Sequence, residues 1–400
     1  MDAFIARQPI FNKKERVVAY ELLYRDSFEN YYKGNDEDKA TCNVIANVFS
    51  LVGVDKITWG KKAFINFPKN LITDDVIPML PKDVVIEILE TVEPTPRVVN
   101  ACRYLKECGY TLALDDFIFD KKYIELLDLA DIVKVDFKMA RYEKKFILNN
   151  TKNNNIKFLA EKVETQEDYN KAKNLGYDLF QGYFFSKPTI VSAKDIPKEK
   201  LIYVEILSEL SKKNVDIVKL KSLIIKDLSI IYKFLKLINS SMYGLKSKII
   251  SPHQAITYLG EIESCKWLYV IVLGSMGSYR SSEIVRASIV RAKFCERIGS
   301  KLYPDDLEKQ YNFFIVGMLS MLDVILERNM ESLLGELFLE KDVREALIGK
   351  GNKYREVLDL IISYERARWD ECTEFSKKLN INISAVVKEY IFALNWANII

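Results

Sequence analysis

Through the first 190 residues one pattern repeats: a short, nearly continuous apolar run, then a longer stretch with apolar positions at helical spacing. The runs are Val17 to Leu22, Ala63 to Phe67, Val84 to Ile88, Thr111 to Leu114, Ile132 to Val135, Ile156 to Leu159 and Leu179 to Phe184, with Phe4 to Gln8 as a further one. Short runs that are apolar at successive positions suit parallel strands covered on both faces. Between them, Val44, Val48 and Leu51 place a helix on Ala40 to Leu51, and Arg97 to Cys108 reads as a helix stopped by Gly109. Eight strands alternating with helices predict an α/β fold, a (β/α)8-type barrel.

Beyond Pro188 to Lys200, a stretch with two prolines and several charges, the strand signal ends. Val218 to Ile238, Ile284 to Ile298 and Tyr311 to Glu327 then read as helices with few breakers. The predicted layout is a barrel over 1–190, a linker over 191–200 and an all-α domain over 201–400.

Composition narrows the chemistry. With 49% hydrophobic and 29% charged residues the chain buries substantial cores and is not disordered. Its 59 Lys and Arg against 56 Asp and Glu leave only +3, which argues against a nucleic-acid polymer as partner. A single histidine, His253, excludes a His-rich zinc site, so carboxylates must carry any metal or proton chemistry. The six cysteines form no C-x-x-C pair, which predicts reduced thiols. The longest apolar run, Phe313 to Leu326, is interrupted by Ser320 and Asp323 and falls short of the roughly 18–20 residues that span a bilayer. A soluble cytoplasmic protein with no membrane association is therefore expected.

An ionisable or amide residue stands at or just past the end of almost every predicted strand: Glu21, Asn66, Glu87, Asp115 with Asp116, Lys134, Glu161 and Gln181. Each alone is ordinary, because a chain surfaces at strand ends. As a set they would meet at one mouth of a barrel. Carboxylates gathered there repel unless a cation neutralises them. Hard oxygen ligands suit Mg²⁺ or Mn²⁺, and two such ions about 4 Å apart can activate water for phosphodiester hydrolysis.

These residues lie in a series of motifs: Gln8-Pro9-Ile10, Glu21-Leu22-Leu23-Tyr24-Arg25, Asn66, Glu87 with Glu90, Asp115-Asp116-Phe117, Lys134-Val135-Asp136, Glu161-Lys162-Val163-Glu164-Thr165 and Gln181-Gly182-Tyr183. In kind and order they resemble the bacterial EAL domain, with Leu22 in place of the signature alanine. That resemblance implies hydrolysis of cyclic di-GMP to pGpG with two divalent ions. It makes Glu21, Asn66, Glu87 and Asp115 metal ligands, with Asp116 serving the second ion. Lys134 and Glu161 would position and deprotonate the attacking water, and Gln181 would hold the metal-water cluster. Gln8 and Arg25 would contact the nucleotide, while Glu90 and Glu164 would give structural support.

Two departures bear on activity. Phe117-Ile118-Phe119-Asp120 replaces a G-T-G-type loop that shapes the second metal site and the dimer face, and Lys162 replaces a glycine. Bulky residues disfavour the positive φ that glycine allows, so both turns are expected to run differently. A second reading therefore stays open, a catalytically silent barrel that binds cyclic di-GMP or serves as a protein scaffold, and a homodimer is also left open. Residues 201–400 resemble the HDOD domain, through Ile225-Lys226-Asp227-Leu228-Ser229, Leu237 to Gly244, Gln254-Ala255-Ile256 and Leu259-Gly260. That implies a regulatory module with an unidentified protein partner. Ser320-Met321 stands where related phosphohydrolases carry His-Asp, so no metal site is expected there. His253 and Asn239 are read as surface, turn or capping residues.

Overall fold

The computed structural model describes residues 4–25, 54–73, 77, 80–138, 143–153, 155–183, 201–240, 242–245, 247–276 and 282–398. The helix expected at Ala40 to Leu51, the linker and the end of the last apolar run lie outside the described residues. The chain divides into two compact units, Met1–Lys187 with Tyr364–Asp370, and Pro188–Ser363 with Glu371–Ile400. Tyr364, which the sequence assigned to the helical half, donates its hydroxyl to Ile5 O at 3.1 Å within the first unit.

Eight strands close the first unit into a barrel in chain order: β1 (Phe4–Asn12), β2 (Val17–Arg25), β3 (Lys62–Phe67), β4 (Val84–Ile88), β5 (Thr111–Leu114), β6 (Ile132–Asp136), β7 (Lys157–Glu161) and β8 (Leu179–Gln181). From β2 to β8 neighbours are parallel. The expectation of eight parallel strands needs one correction, because β1 runs antiparallel to both β2 and β8. Only residues 13–16 separate β1 from β2, whereas a parallel crossover takes a dozen or more. The turn is held by Asn12 Oδ1, which accepts from the amides of Lys14 and Arg16 at 2.9 and 3.1 Å.

The barrel interior is built in layers. Ile10, Ala19, Phe64, Val85, Ala113, Ile132 and Leu159, completed by Leu179, form one apolar cluster with one residue from each strand. Side chains two positions apart on a strand share a face. The next inward layer toward the mouth is therefore two residues further along β2 to β8, and two residues back along the reversed β1. It consists of Gln8, Glu21, Asn66, Glu87, Asp115, Lys134, Glu161 and Gln181. A ring of eight polar residues stands directly on a ring of eight apolar ones.

The second unit is helical. Its helix Ser282–Leu302 packs on Leu307–Leu319 and Ile383–Ala397. Glycine allows the first of these crossings: a Cβ on Gly317 would lie 2.6 Å from the Ala292 Cα, and one on Gly299 would lie 2.3 Å from the Phe313 ring. Two predicted helices prove interrupted. Val218 to Ile238 divides at Asp227, whose carboxylate caps Leu228–Ile238 by accepting from Ser229 N at 2.8 Å. Tyr311 to Glu327 divides at Ser320, whose hydroxyl turns back to Gly317 O at 2.7 Å. Asn239 is a staple: it donates to Leu235 O and Ile249 O and accepts from Ile249 N. His253 is exposed on the first turn of Pro252–Leu259, which Ser251 caps. Among the described residues no helix is long and apolar enough to cross a membrane, and the five cysteines there are free thiols.

Candidate active site at the barrel mouth

Lys134 is the centre of the polar ring. Its ammonium lies 2.6 Å from Asp115 Oδ1, 2.7 Å from Glu87 Oε1, 3.1 Å from Glu161 Oε1 and 3.5 Å from Glu21 Oε1. The lysine side chain is 1% exposed and that of Glu87 0%. Four carboxylates thus share this cation, with Lys134, Glu87 and Glu21 buried and Asp115 and Glu161 partly open toward the mouth. Gln181 Nε2 bridges to Gln8 Oε1 at 2.9 Å and to Glu21 Oε2, tying β8, β1 and β2 together.

The electrostatics follow from that crowding. Burial, and then the neighbouring Glu21 and Asp115, push the Glu87 carboxyl well above the usual carboxylate range against the pull of Lys134. Burial pushes Glu161 up to about 8, again against Lys134 and with Asp115, Glu21 and Asp116 adding to the rise. Burial alone would lower the Lys134 ammonium, but the surrounding carboxylates outweigh it and hold it well above its ordinary value. One ammonium does not neutralise this set, and Glu87 and Glu161 compensate by holding their protons more tightly.

Asn66 Oδ1, Glu87 Oε2, Glu161 Oε2 and Gln181 Oε1 are buried without a hydrogen-bond partner among the described residues. Buried oxygens of this kind call for a cation or an ordered water. In donor chemistry the ring fits a hard divalent ion. As the side chains stand, no group of three or more His, Cys, Asp or Glu among the described residues is disposed around an ion position. The Lys134 ammonium sits where the carboxylates converge.

Outside the ring stand the residues of the loops. Asp116 takes φ +37° and Lys162 φ +55°, and the Lys162 ammonium pairs with Asp136 Oδ2 at 2.8 Å and Asp116 Oδ2 at 3.7 Å. Lys162 thus adopts a positive φ, against the expectation that a bulky residue there avoids it. Asp136, quoted in its motif but given no role, is the residue sequence reasoning missed. Its only signal was its place two residues beyond Lys134. Residues Phe117 to Asp120 avoid positive φ. Phe117 is buried edge-on against Tyr123, and Ile118 is 73% exposed. With Glu90, Asp116 and Lys122 these residues line a cavity of about 440 Å³ beside the mouth. Glu90 is exposed past β4, and Glu164 pairs with Lys138 at 3.0 Å, so neither belongs to the ring. The Arg25 side chain lies outside the described residues.

Gly182 explains itself by space. At φ +144° its missing Cβ would fall 2.1 Å from Val163 O, and this contact accompanies the 3.0 Å bond from Val163 N to Gln181 O that closes β7 onto β8. Any side chain would collide with the Val163 backbone beside Gln181. In the helical unit, Arg291 donates to Ser320 Oγ at 2.9 Å, and Met321 is buried.

Fold and mouth define an acidic-mouthed barrel accompanied by a helical unit. Residues 60–188 match the EAL domain and residues 196–343 the HDOD domain, the first match beginning after β2. The uncharacterized protein YuxH of Bacillus subtilis is 40% identical over all of this chain and 98% of its own. The cyclic di-GMP phosphodiesterase CdgJ of Vibrio cholerae is 32% identical over 98% of this chain and 92% of its own. Among solved structures, a calcium and cyclic di-GMP complex of Klebsiella pneumoniae BlrP1 is 24% identical over 47% of this chain and 56% of its own, at a TM-score of 0.39. The chain belongs to the family of two-domain proteins in which an EAL domain is followed by an HDOD domain.

Proposed function

We propose that the barrel is a metal-dependent phosphodiesterase that opens cyclic di-GMP to pGpG, and that the helical unit is a non-catalytic regulatory module toward a protein partner. The observation that carries this reading is the polar ring: four carboxylates from four strands converge on one buried lysine, with unpartnered oxygens facing inward. The 32% identity to a protein named as a cyclic di-GMP phosphodiesterase supports it.

Glu21, Asn66, Glu87 and Asp115 would hold a divalent ion, Mg²⁺ or Mn²⁺, with Asp116 toward a second. Such an ion supplies an acidified water and neutralises charge on a phosphate oxygen. Glu161, with its carboxyl raised to about 8, matches a base working near neutrality. It takes a proton from water at Oε2 as the water oxygen bonds to phosphorus. The bond from phosphorus to the ribose 3′ oxygen breaks, that oxygen takes up a proton, and a 5′-phosphate remains. Lys134 holds Glu161 and the ring carboxylates in register and offers its charge to the phosphate. Gln181 and Gln8 fix the β1–β8 side of the mouth, and Arg25 would grip a phosphate as a fork.

A second reading, a silent cyclic di-GMP receptor, is favoured by the bulky Phe117 to Asp120 loop and by the absence, among the described residues, of a ready-made ion site. Turnover of cyclic di-GMP by the purified chain with Mn²⁺ or Mg²⁺, beside Glu21→Ala, decides between them. Linear pGpG from the wild type alone is expected. Nucleotide binding in calorimetry with no turnover would establish the receptor instead.

A further inference from the structure

The mouth carries two acidic groups with different cations. Among the described residues, the ion pairs of the inner ring set Glu21, Glu87, Asp115 and Glu161 against Lys134. The outer pair, Asp116 and Asp136, is set against Lys162. One ammonium thus serves two acids in the outer pair and four in the inner ring. Lys162 reaches both acids from a left-handed backbone that a lysine adopts only at a cost in strain, and Asp116 opposite it is left-handed as well. Strain retained on both partners of one ion pair marks a place where the surroundings fix the geometry. Lys162 remains 53% exposed, so its ammonium also faces what enters the mouth.

We infer that Lys162 is a resident cation for the outer acidic pair, so that this barrel takes a single divalent ion on its inner ring and presents the Lys162 ammonium to substrate phosphate where a second ion would act. This rests on the metal-dependent reading above and departs from the two ions that the resemblance implies. A divalent ion bound through Asp116 would lie within a few ångströms of the Lys162 ammonium, which pairs with Asp136 Oδ2 at 2.8 Å and Asp116 Oδ2 at 3.7 Å. The repulsion there is twice that between two unit charges at the same distance. An ion on the inner ring also meets an ammonium, that of Lys134, but the ring offers four carboxyl groups and buried oxygens without a partner among the described residues, donors that the outer pair lacks.

The test is ion stoichiometry, which needs no turnover. Free Mn²⁺ is followed by electron paramagnetic resonance during titration of the full-length wild type, Lys162→Gln and Lys162→Gly. One Mn²⁺ per chain is expected for the wild type. Two are expected for each variant, and Asp116→Ala in the Lys162→Gln background should return the number to one. Glycine accepts the φ of +55° without strain, so Lys162→Gly keeps the test valid if glutamine disturbs folding. Two ions on the wild type, or one on both folded variants, overturns the inference while leaving the metal-dependent reading in place. No Mn²⁺ on wild type or variants overturns that reading and the inference with it.

Discussion

Replacing Lys134 by methionine removes the cation that, among the described residues, pairs with the ring carboxylates, while nearly preserving volume. Its ammonium contacts four carboxylates at 2.6–3.5 Å. At an effective dielectric of about 20, each contact near 3 Å carries roughly 5 kcal/mol of gross attraction. Desolvation of the buried ammonium and repulsion among the carboxylates offset most of that sum. Removal of one partner from a buried charge pair leaves a net loss of about 3–5 kcal/mol. Proton uptake by Glu87 and Glu161 softens the loss, because burial has already raised both carboxyls. The cost therefore grows from the low end of that range near pH 6 to the high end above pH 8, where Glu161 gives up its proton. At about 2–4 °C per kcal/mol for a domain of this size, the unfolding temperature falls by roughly 6–20 °C across that span. Thermal scans by circular dichroism in chelator, for wild type and Lys134→Met at both pH values, measure it. A variant melting within about 2 °C of wild type at both would refute the reasoning, because the four carboxylates would not then depend on the lysine.

Two further outcomes concern separate parts of the chain. Glu296 lies buried between Lys266 at 2.5 Å and Lys293 at 2.8 Å; burial raises its carboxyl, but the two ammoniums outweigh burial and hold it below the ordinary 4.5. Its stabilisation is thus complete above about pH 4.5 and lost as pH falls below that, so thermal scans should drop there for wild type, and Glu296→Gln should flatten that drop and cost about 3–5 kcal/mol at pH 7. Gly182→Ala drives a methyl against Val163 O, whereas Gly109, at φ +86°, has nothing within 4 Å; urea unfolding should show a loss of about 3 kcal/mol for the first and about 1 kcal/mol for the second, and equal losses would remove the steric account of Gly182.

The barrel was legible because two periods coincide in its sequence. Continuous apolar runs mark strands covered on both faces, and the period of two then lifts the residue beyond each apolar layer into the mouth, which is why Glu21, Asn66, Glu87, Asp115, Lys134, Glu161 and Gln181 fall on one ring. The direction of β1 was written in the same letters. Four residues between Asn12 and Val17 permit a hairpin and nothing longer. The breaks at Asp227 and Ser320 were hidden because apolar spacing runs on through both, and only side-chain bonds to nearby backbone reveal the caps. Lys162 was misread for a different reason: residue type argues against its φ, and the acids that hold it there come from β6 and from the turn after β5. Strand periodicity can place an inward ring, but charges on the loops are paired across the barrel mouth by distances that no local pattern encodes. The inner ring follows from the fold, while the pairing of Asp116 and Asp136 depends on one loop lysine that a change of a single residue would remove.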